Sequence, residues 1–229
     1  VIDEGGYAVG TKSDLTGGMN SLDKQNVMWG AGIQVADQAG GYAGFFTHMD
    51  NKEGAYAKSA PKLISKQLYN RISATDIRRD WWDPSDKESP YVSKKFSFAN
   101  VASFLGDYIY MRVEEMYFTA AEAALRLDDL KSARELMNTV MAERDPGYSA
   151  NNRSGTLLGA TTTTWTGSFL ENILTHRRIE LWGEGGLEWF NNRRWNIPVN
   201  RQGSTVHWNP AMTYPVSQMT MKVPSEEIS

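Results

Sequence analysis

The sequence contains no cysteine and only three histidines. The absence of cysteine excludes disulfides, thiol catalysis and cysteine-ligated zinc. His48, His176 and His207 are widely separated and match none of the spacings with which proteins bind zinc or calcium. We therefore expect no metal site and no cofactor.

Long apolar runs and an excess of charge of one sign are missing as well. No segment approaches the roughly 18 apolar residues that a membrane-spanning helix requires. The 24 basic and 27 acidic residues leave a net charge of −3, so nothing in the charge favours a nucleic-acid partner. With 229 residues, 41% of them hydrophobic, the chain is long enough to fold around a sizeable core.

The sequence also has no recognisable catalytic motif. It contains no Gly-x-Ser-x-Gly elbow, and the glycine-rich residues 40–44 lack the context of a nucleotide-binding loop. Glycosidases use paired carboxylates, and Glu180 and Glu184 lie one helical turn apart. Arg177 stands three residues before Glu180, so an internal Arg–Glu network is the simpler interpretation. We predict no catalytic residue.

The second half of the sequence has the apolar spacing of packed helices. Apolar or small residues recur every three or four positions in residues 108–127 and again in 130–141. The short turn between these stretches predicts an antiparallel αα-hairpin, with a length close to the 34 residues of a tetratricopeptide repeat. Residues 168–183 predict a third helix, and residues 187–195 a further short one.

The first half is richer in loops. Residues 34–58 form a long polar, glycine-rich tract without helical periodicity, which is typical of a functional or disordered loop. An apolar stripe after Pro61 predicts a helix up to Ile72, and Asp76 predicts the start of a short helix. We therefore divide the chain into a loop-rich, ligand-facing region, 1–107, and a helical scaffold with a closing segment, 108–229.

Aromatic residues are the most prominent feature of the composition, with eight Trp, ten Tyr and eight Phe. Flat aromatic rings exposed on loops can stack on the C–H faces of sugars, provided that a rigid scaffold holds them. Trp29, Trp182, Trp189 and Trp195 lie in apolar or helical stretches and are predicted to be core. The predicted ligand-binding residues are the aromatics in or beside loops: Tyr42, Phe45, Phe46, Trp81 and Trp82.

Four segments in the second half resemble the SusD/RagB family. Residues 110–123 resemble its "R-x-x-E-x-Y-x-x-x-A-E-A" helix, and 173–185 its "E-R-R-x-E-L-x-x-E-G" helix. Residues 189–195 are similar to "W-F-D-L-R-R-W", and 223–228 to the closing "I-P-x-x-E-I". The four follow one another in the family's order, which makes the combination far more specific than any one motif.

This resemblance implies the carboxy-terminal part of a surface lipoprotein of the bacterial outer membrane. Such a protein binds oligosaccharides or similar nutrients without hydrolysing them and delivers them to a TonB-dependent porin. Its lipid anchor would lie in an upstream segment outside this sequence. The implied fold is mainly α, with tetratricopeptide-like αα-hairpins and long irregular loops. The implied role of the matched charged residues is to tie helices together: Arg112, Glu115, Glu122, Arg177, Glu180 and Glu184.

Two other functions stay open at this point. The hairpins could serve as a protein–protein scaffold that docks the porin and binds no sugar. A glycoside hydrolase is prompted by the glutamates alone.

Overall fold

The computed structural model describes residues 1–37, 44–151, 168–200 and 213–218. The fold is mainly α, as the sequence predicts, with strands paired only two at a time among the described residues. The helices, in chain order, are α1 Lys12–Thr16, α2 Phe45–Met49, α3 Ala55–Ser59, α4 Lys66–Tyr69, α5 Val113–Arg126, α6 Leu130–Ala142, α7 Phe169–Glu180 and α8 Leu187–Arg194. The strands are β1 Val27–Ala31, β2 Trp82–Asp83, β3 Val92–Ser93, β4 Tyr108–Arg112, β5 Val199–Asn200 and β6 Thr213–Tyr214.

The helices α5 and α6 form the predicted antiparallel hairpin. Asp128 adopts a left-handed backbone with φ of 60°, which reverses the chain between the two helices. The side chain of Asp129 then accepts a hydrogen bond from the backbone N–H of Ser132 and caps α6. The next helix, α7, packs on α5. One hydrophobic core fills the space between the three helices and includes Phe118, Ala121, Met137, Val140, Phe169 and Ile173.

The first helix of the hairpin begins later than the sequence suggested. Residues 108–112 are not helical, because they form strand β4 and pair with β1 in an antiparallel ladder. The register joins Gly30 to Ile109 and Ala31 to Tyr108. Gly30 is required there because a Cβ at this position would collide with the carbonyl oxygen of Tyr108.

The first half of the chain is built from short elements around a second core. The tract 34–58 contains α2 and α3, and the helix predicted after Pro61 is limited to α4, which Ser65 caps. The residues of this second core include Phe46, Ile64, Tyr69, Trp81, Trp82 and Phe96. Ile179 from α7 belongs to the same core, so α7 contributes side chains to both.

None of the described helices is long and apolar enough to cross a bilayer.

Candidate ligand-binding site

The aromatic residues predicted to bind a ligand are mostly buried. Phe46, Trp81 and Trp82 expose only 2%, 3% and 1% of their surface. The expectation that these three rings stand exposed on loops is therefore wrong. Tyr42 lies outside the described residues.

The two tryptophans are held in the second core by different contacts. The Trp81 indole N–H donates to the carbonyl oxygen of Leu15 at 3.0 Å, which removes the main cost of burying this side chain. Trp82 packs edge-on against Trp182 with ring centroids 5.8 Å apart. Both rings thus serve the second core, and a role in ligand contact stays a prediction for them.

Phe45 is placed differently from Phe46, although the two are adjacent. It opens α2 and is only partly buried, with its ring edge-on to Phe96 at 5.1 Å and close to Tyr108 at 6.1 Å. Its backbone N–H donates to the Tyr108 hydroxyl at 3.2 Å. Among the predicted ligand-binding residues that the structure describes, Phe45 is therefore the one whose side chain is still partly accessible.

The exposed aromatic surface lies instead on the β1–β4 ladder. Trp29 is 62% exposed and Tyr110 is 49% exposed, and their ring centroids are 5.0 Å apart with planes inclined by 58°. Two large rings held side by side on paired strands form a rigid apolar surface with polar tips. We call this pair the aromatic platform.

Neither platform residue was predicted from the sequence to be an exposed residue on a strand. Trp29 was assigned to the core because it ends an apolar stretch, and Tyr110 was assigned to a helix. The structure corrects both assignments, since β1 and β4 leave one face of the ladder open at this point. The run Tyr108-Ile109-Tyr110-Met111 was the available signal, because aromatic and β-branched residues are enriched in strands.

A pocket of about 190 Å³ lies next to the platform and shares Tyr110 with it. Its walls are almost entirely apolar among the described residues, and Glu184 is the charged side chain on its boundary. The principal lining side chains are Met19, Phe45, Phe96, Tyr108, Tyr110 and Glu184.

A buried charge network lies behind this pocket and fixes strand β4. We define the network as Asp76, Arg78, Lys95, Arg112, Glu114, Arg144, Glu180 and Glu184. Arg112, the last residue of β4, donates from Nε and Nη2 to the two carboxylate oxygens of Glu184 at 2.9 and 2.8 Å. This bidentate pair ties β4, and with it Tyr110, to the turn after α7.

Glu180 is the centre of the network. Its carboxylate lies 2.9 Å from Arg144 Nε, 3.1 Å from Arg112 Nη1 and 3.1 Å from Arg78 Nη1. Burial alone would raise the pKa of Glu180, but the three guanidinium groups outweigh it and hold that pKa well below its usual range. The residue is therefore an ionised structural anion and is not suited to act as a general acid.

Glu184 and Lys95 complete the network at the pocket boundary. Burial would raise the pKa of Glu184, yet Arg112 and Lys95 lower it overall. Lys95 donates to Glu184 at 2.5 Å and to the carbonyl oxygens of Glu180 and Trp182 at 2.8 Å each. Burial lowers the pKa of Lys95 to about 8, and Glu184 opposes this shift only in part.

The predicted Arg–Glu network exists, but one partner differs. Arg177 does not pair with Glu180; it donates to the carboxylate and carbonyl of Glu115 at 2.7 and 3.1 Å and so ties α7 to α5. Glu122 accepts from Arg194 at 2.7 Å and thereby holds α8 against α5. Within the part of the chain that the structure describes, no group of three His, Asp or Glu side chains is arranged to hold a metal ion.

The chain was compared with known families and structures. The model of the SusD family matches residues 45–227. A comparison with curated proteins found no match.

Solved structures with the same fold include proteins from two Bacteroides species. A SusD-like carbohydrate-binding protein from Bacteroides vulgatus ATCC 8482 has a TM-score of 0.70 and 22% identity, and the match covers 99% of this chain and 52% of that one. A SusD superfamily protein from Bacteroides thetaiotaomicron VPI-5482 has a TM-score of 0.70 and 18% identity, with 99% and 51% covered. A putative sugar binding protein from Bacteroides vulgatus ATCC 8482 has a TM-score of 0.68 and 19% identity, with 99% and 49% covered.

The chain therefore spans about half the length of the structures that it matches. The family model covers most of the sequence, and the fold agrees over nearly all of it. The four motifs, the helical hairpin and these matches lead to one assignment: the chain belongs to the SusD family.

Proposed function

We propose that this chain binds oligosaccharides without hydrolysing them and that the aromatic platform is its contact with the sugar. The observation that carries the proposal is the exposed pair Trp29–Tyr110 on a ladder anchored by buried ion pairs. A pyranose that stacks on such a pair buries its C–H face while its hydroxyls remain in water, so the complex loses few hydrogen bonds. The related structures described as carbohydrate or sugar binding agree with this ligand class.

The ligand-binding residues predicted from sequence enter the proposal in different ways. Phe45 forms part of the wall beside the platform and can touch a ligand that extends past Tyr110. Phe46, Trp81 and Trp82 support that wall from behind through the second core.

Tryptophan fluorescence tests the platform directly. The chain is titrated with a panel of plant, host and microbial oligosaccharides, and a saturable change in emission identifies a ligand. Trp29→Ala and Tyr110→Ala should each weaken binding of that ligand by at least about tenfold, because exposed aromatic anchors supply much of such a contact. For the Trp29→Ala chain, binding is measured by isothermal titration calorimetry.

Trp189→Ala is the matched control for this experiment. Trp189 is a partly exposed tryptophan on α8 and belongs neither to the platform nor to the described lining of the pocket. Its replacement should leave the affinity unchanged. If Trp29→Ala and Tyr110→Ala bind the identified oligosaccharide as tightly as Trp189→Ala does, the platform is not the site.

A glycoside hydrolase would need two carboxyl groups free to exchange protons with a substrate. Glu180 and Glu184, the pair that suggested this activity, are both engaged by Arg and Lys side chains in the buried charge network. Release of reducing ends from a bound oligosaccharide over days would contradict the non-catalytic assignment.

The family further suggests a place for the protein and a partner. We include in the proposal that the whole protein is a lipid-anchored component of the outer-membrane surface and passes its ligand to a TonB-dependent porin. Co-purification of the whole protein with such a porin from bacterial membranes is the expected result. Recovery of the porin without sugar binding by the chain would favour the docking-scaffold alternative.

A further inference from the structure

The pocket beside Tyr110 differs in chemistry from the platform itself. The platform is open, so a sugar there keeps most of its hydroxyls in water. The pocket is a partly open depression lined mainly by Met19, Phe45, Phe96 and Tyr108. The lining is mostly apolar, and the Tyr108 hydroxyl already accepts a hydrogen bond from the Phe45 backbone N–H. A pyranose ring moved into the pocket would exchange water around several hydroxyls for few polar partners, which makes the pocket a poor place for it.

The charged group at the pocket boundary does not change this conclusion. Oε1 of Glu184 accepts hydrogen bonds from Lys95 Nζ and Arg112 Nη2, and Oε2 accepts from Arg112 Nε. Its acceptor positions are thus directed into the buried charge network. An anionic ligand group would in addition meet the ionised carboxylate.

The size of the pocket points to a single ring. Sites that enclose a whole small-molecule ligand measure about 300–1,000 Å³, whereas this pocket measures about 190 Å³. An apolar cavity of about 150 Å³ is enough to hold one benzene molecule. The pocket therefore has the volume for one six-membered aromatic ring and is too small for a disaccharide.

We infer that this pocket is a subsite for an uncharged aromatic substituent on the glycan that occupies the platform, so that the ligand is an oligosaccharide carrying aryl or aromatic acyl groups. The inference rests on the proposed function, because Tyr110 is shared by platform and pocket. Because Tyr110 also lines the pocket, a substituent on a sugar stacked on Trp29 and Tyr110 can reach the pocket. Phe45 and Phe96 then offer ring edges and faces to the inserted ring.

Matched glycosides test the subsite. Methyl and phenyl β-glycosides of the same set of sugars are titrated into the chain by isothermal titration calorimetry. The phenyl glycoside should bind at least about tenfold more tightly than its methyl counterpart, as expected when one aromatic ring is removed from water. Phe45→Ala should reduce this phenyl-to-methyl ratio, because it removes one wall of the pocket.

Two further variants separate the pocket from the platform. Trp29→Ala should weaken both glycosides and preserve their ratio, because Trp29 is not among the described residues that line the pocket. Phe190→Ala is the matched control for Phe45→Ala, since Phe190 is an exposed phenylalanine on α8 and is not among the described residues that line the pocket. It should leave both affinities unchanged.

The outcomes distinguish the subsite from the proposed function. Equal affinities for phenyl and methyl glycosides, or no binding of the phenyl glycosides, overturn the subsite even if plain oligosaccharides bind through Trp29. If anisole, which has an aromatic ring and no sugar, binds as tightly as a phenyl glycoside, the pocket is confirmed and the sugar platform is contradicted. An undiminished ratio in Phe45→Ala places the aromatic ring elsewhere and also overturns the inference.

Discussion

At the scale of single residues, Glu180 holds the centre of the buried charge network, where it pairs with three arginines. Glu180→Gln would leave Arg78, Arg112 and Arg144 without their shared anion in a site that water does not reach. Removing one partner of a buried ion pair typically costs about 3–5 kcal/mol. We expect the free energy of unfolding, measured by urea denaturation monitored by circular dichroism, to fall by about this amount.

Glu135→Gln provides the matched control for Glu180→Gln. Glu135 is an exposed residue on α6 that lies 3.8 Å from Lys131. Surface pairs of this kind contribute about 0–1 kcal/mol, so this variant should stay close to the parent. Equal losses in the two variants would show that the buried charge network does not stabilise the fold.

The partners and the burial of individual side chains were the features least well predicted from the sequence. The resemblance to the family implied that Arg112, Glu180 and Glu184 tie elements together, and they do. The sequence could not show that Arg177 forms its ion pair with Glu115, because the partner of Arg177 is determined by how α7 packs on α5. The tryptophans were misassigned for the same reason: Trp29 stands in an apolar stretch and is exposed, whereas Trp82 stands beside a polar turn and is buried.

At the scale of secondary structure, the α5–α6 hairpin has the most sharply defined requirement. Ala121 is fully buried where the helices of the first core meet. Ala121→Leu would force extra methyl groups into filled space and cost about 1–3 kcal/mol. Ala123→Leu, two positions along on the exposed face of α5, should change stability by less than about 0.5 kcal/mol. Thermal unfolding of both variants measures the difference, and equal melting temperatures would contradict this helix register.

The long helices could be read from the sequence because each carries its own apolar stripe. The predicted ends of these three helices lie within three residues of the observed ends, except that α5 begins five residues later than predicted. Strand β4 was missed because its pairing with β1 joins segments about 80 residues apart, and local spacing holds no information on such a contact. The same limit applies to α2 and α3, which are only five residues long; α2 depends on packing in the second core, and α3 packs on α2.

At the scale of the whole molecule, the buried charge network connects both halves of the chain. It joins Arg78 and Lys95 from the first half to Arg112, Arg144 and Glu180 from the second. The ordered motifs indicated the fold family from sequence, and they contain Arg112, Glu180 and Glu184 of this network. The ligand surface could not be derived in the same way, since it consists of aromatic side chains whose exposure is decided by the packing of the two halves.

The network also makes the stability of the whole molecule sensitive to acid. The pKa values of Glu180 and Glu184 lie below their ordinary value of 4.5 in the folded chain. Above pH 4.5 these carboxylates are ionised in both states, and their full contribution to stability is present. As the pH falls below 4.5, the unfolded chain takes up protons that the folded chain does not, so the free energy of unfolding must decrease.

Urea denaturation between pH 3 and pH 7 measures this effect. Each such carboxylate contributes a slope of up to about 1.4 kcal/mol per pH unit below its unfolded pKa. Glu184→Gln should therefore be less stable than the parent at pH 7 and lose stability less steeply between pH 4.5 and pH 3. Parallel curves for parent and variant would contradict the origin assigned here to the acid sensitivity, because an amide cannot take up the proton that the Glu184 carboxylate binds on unfolding.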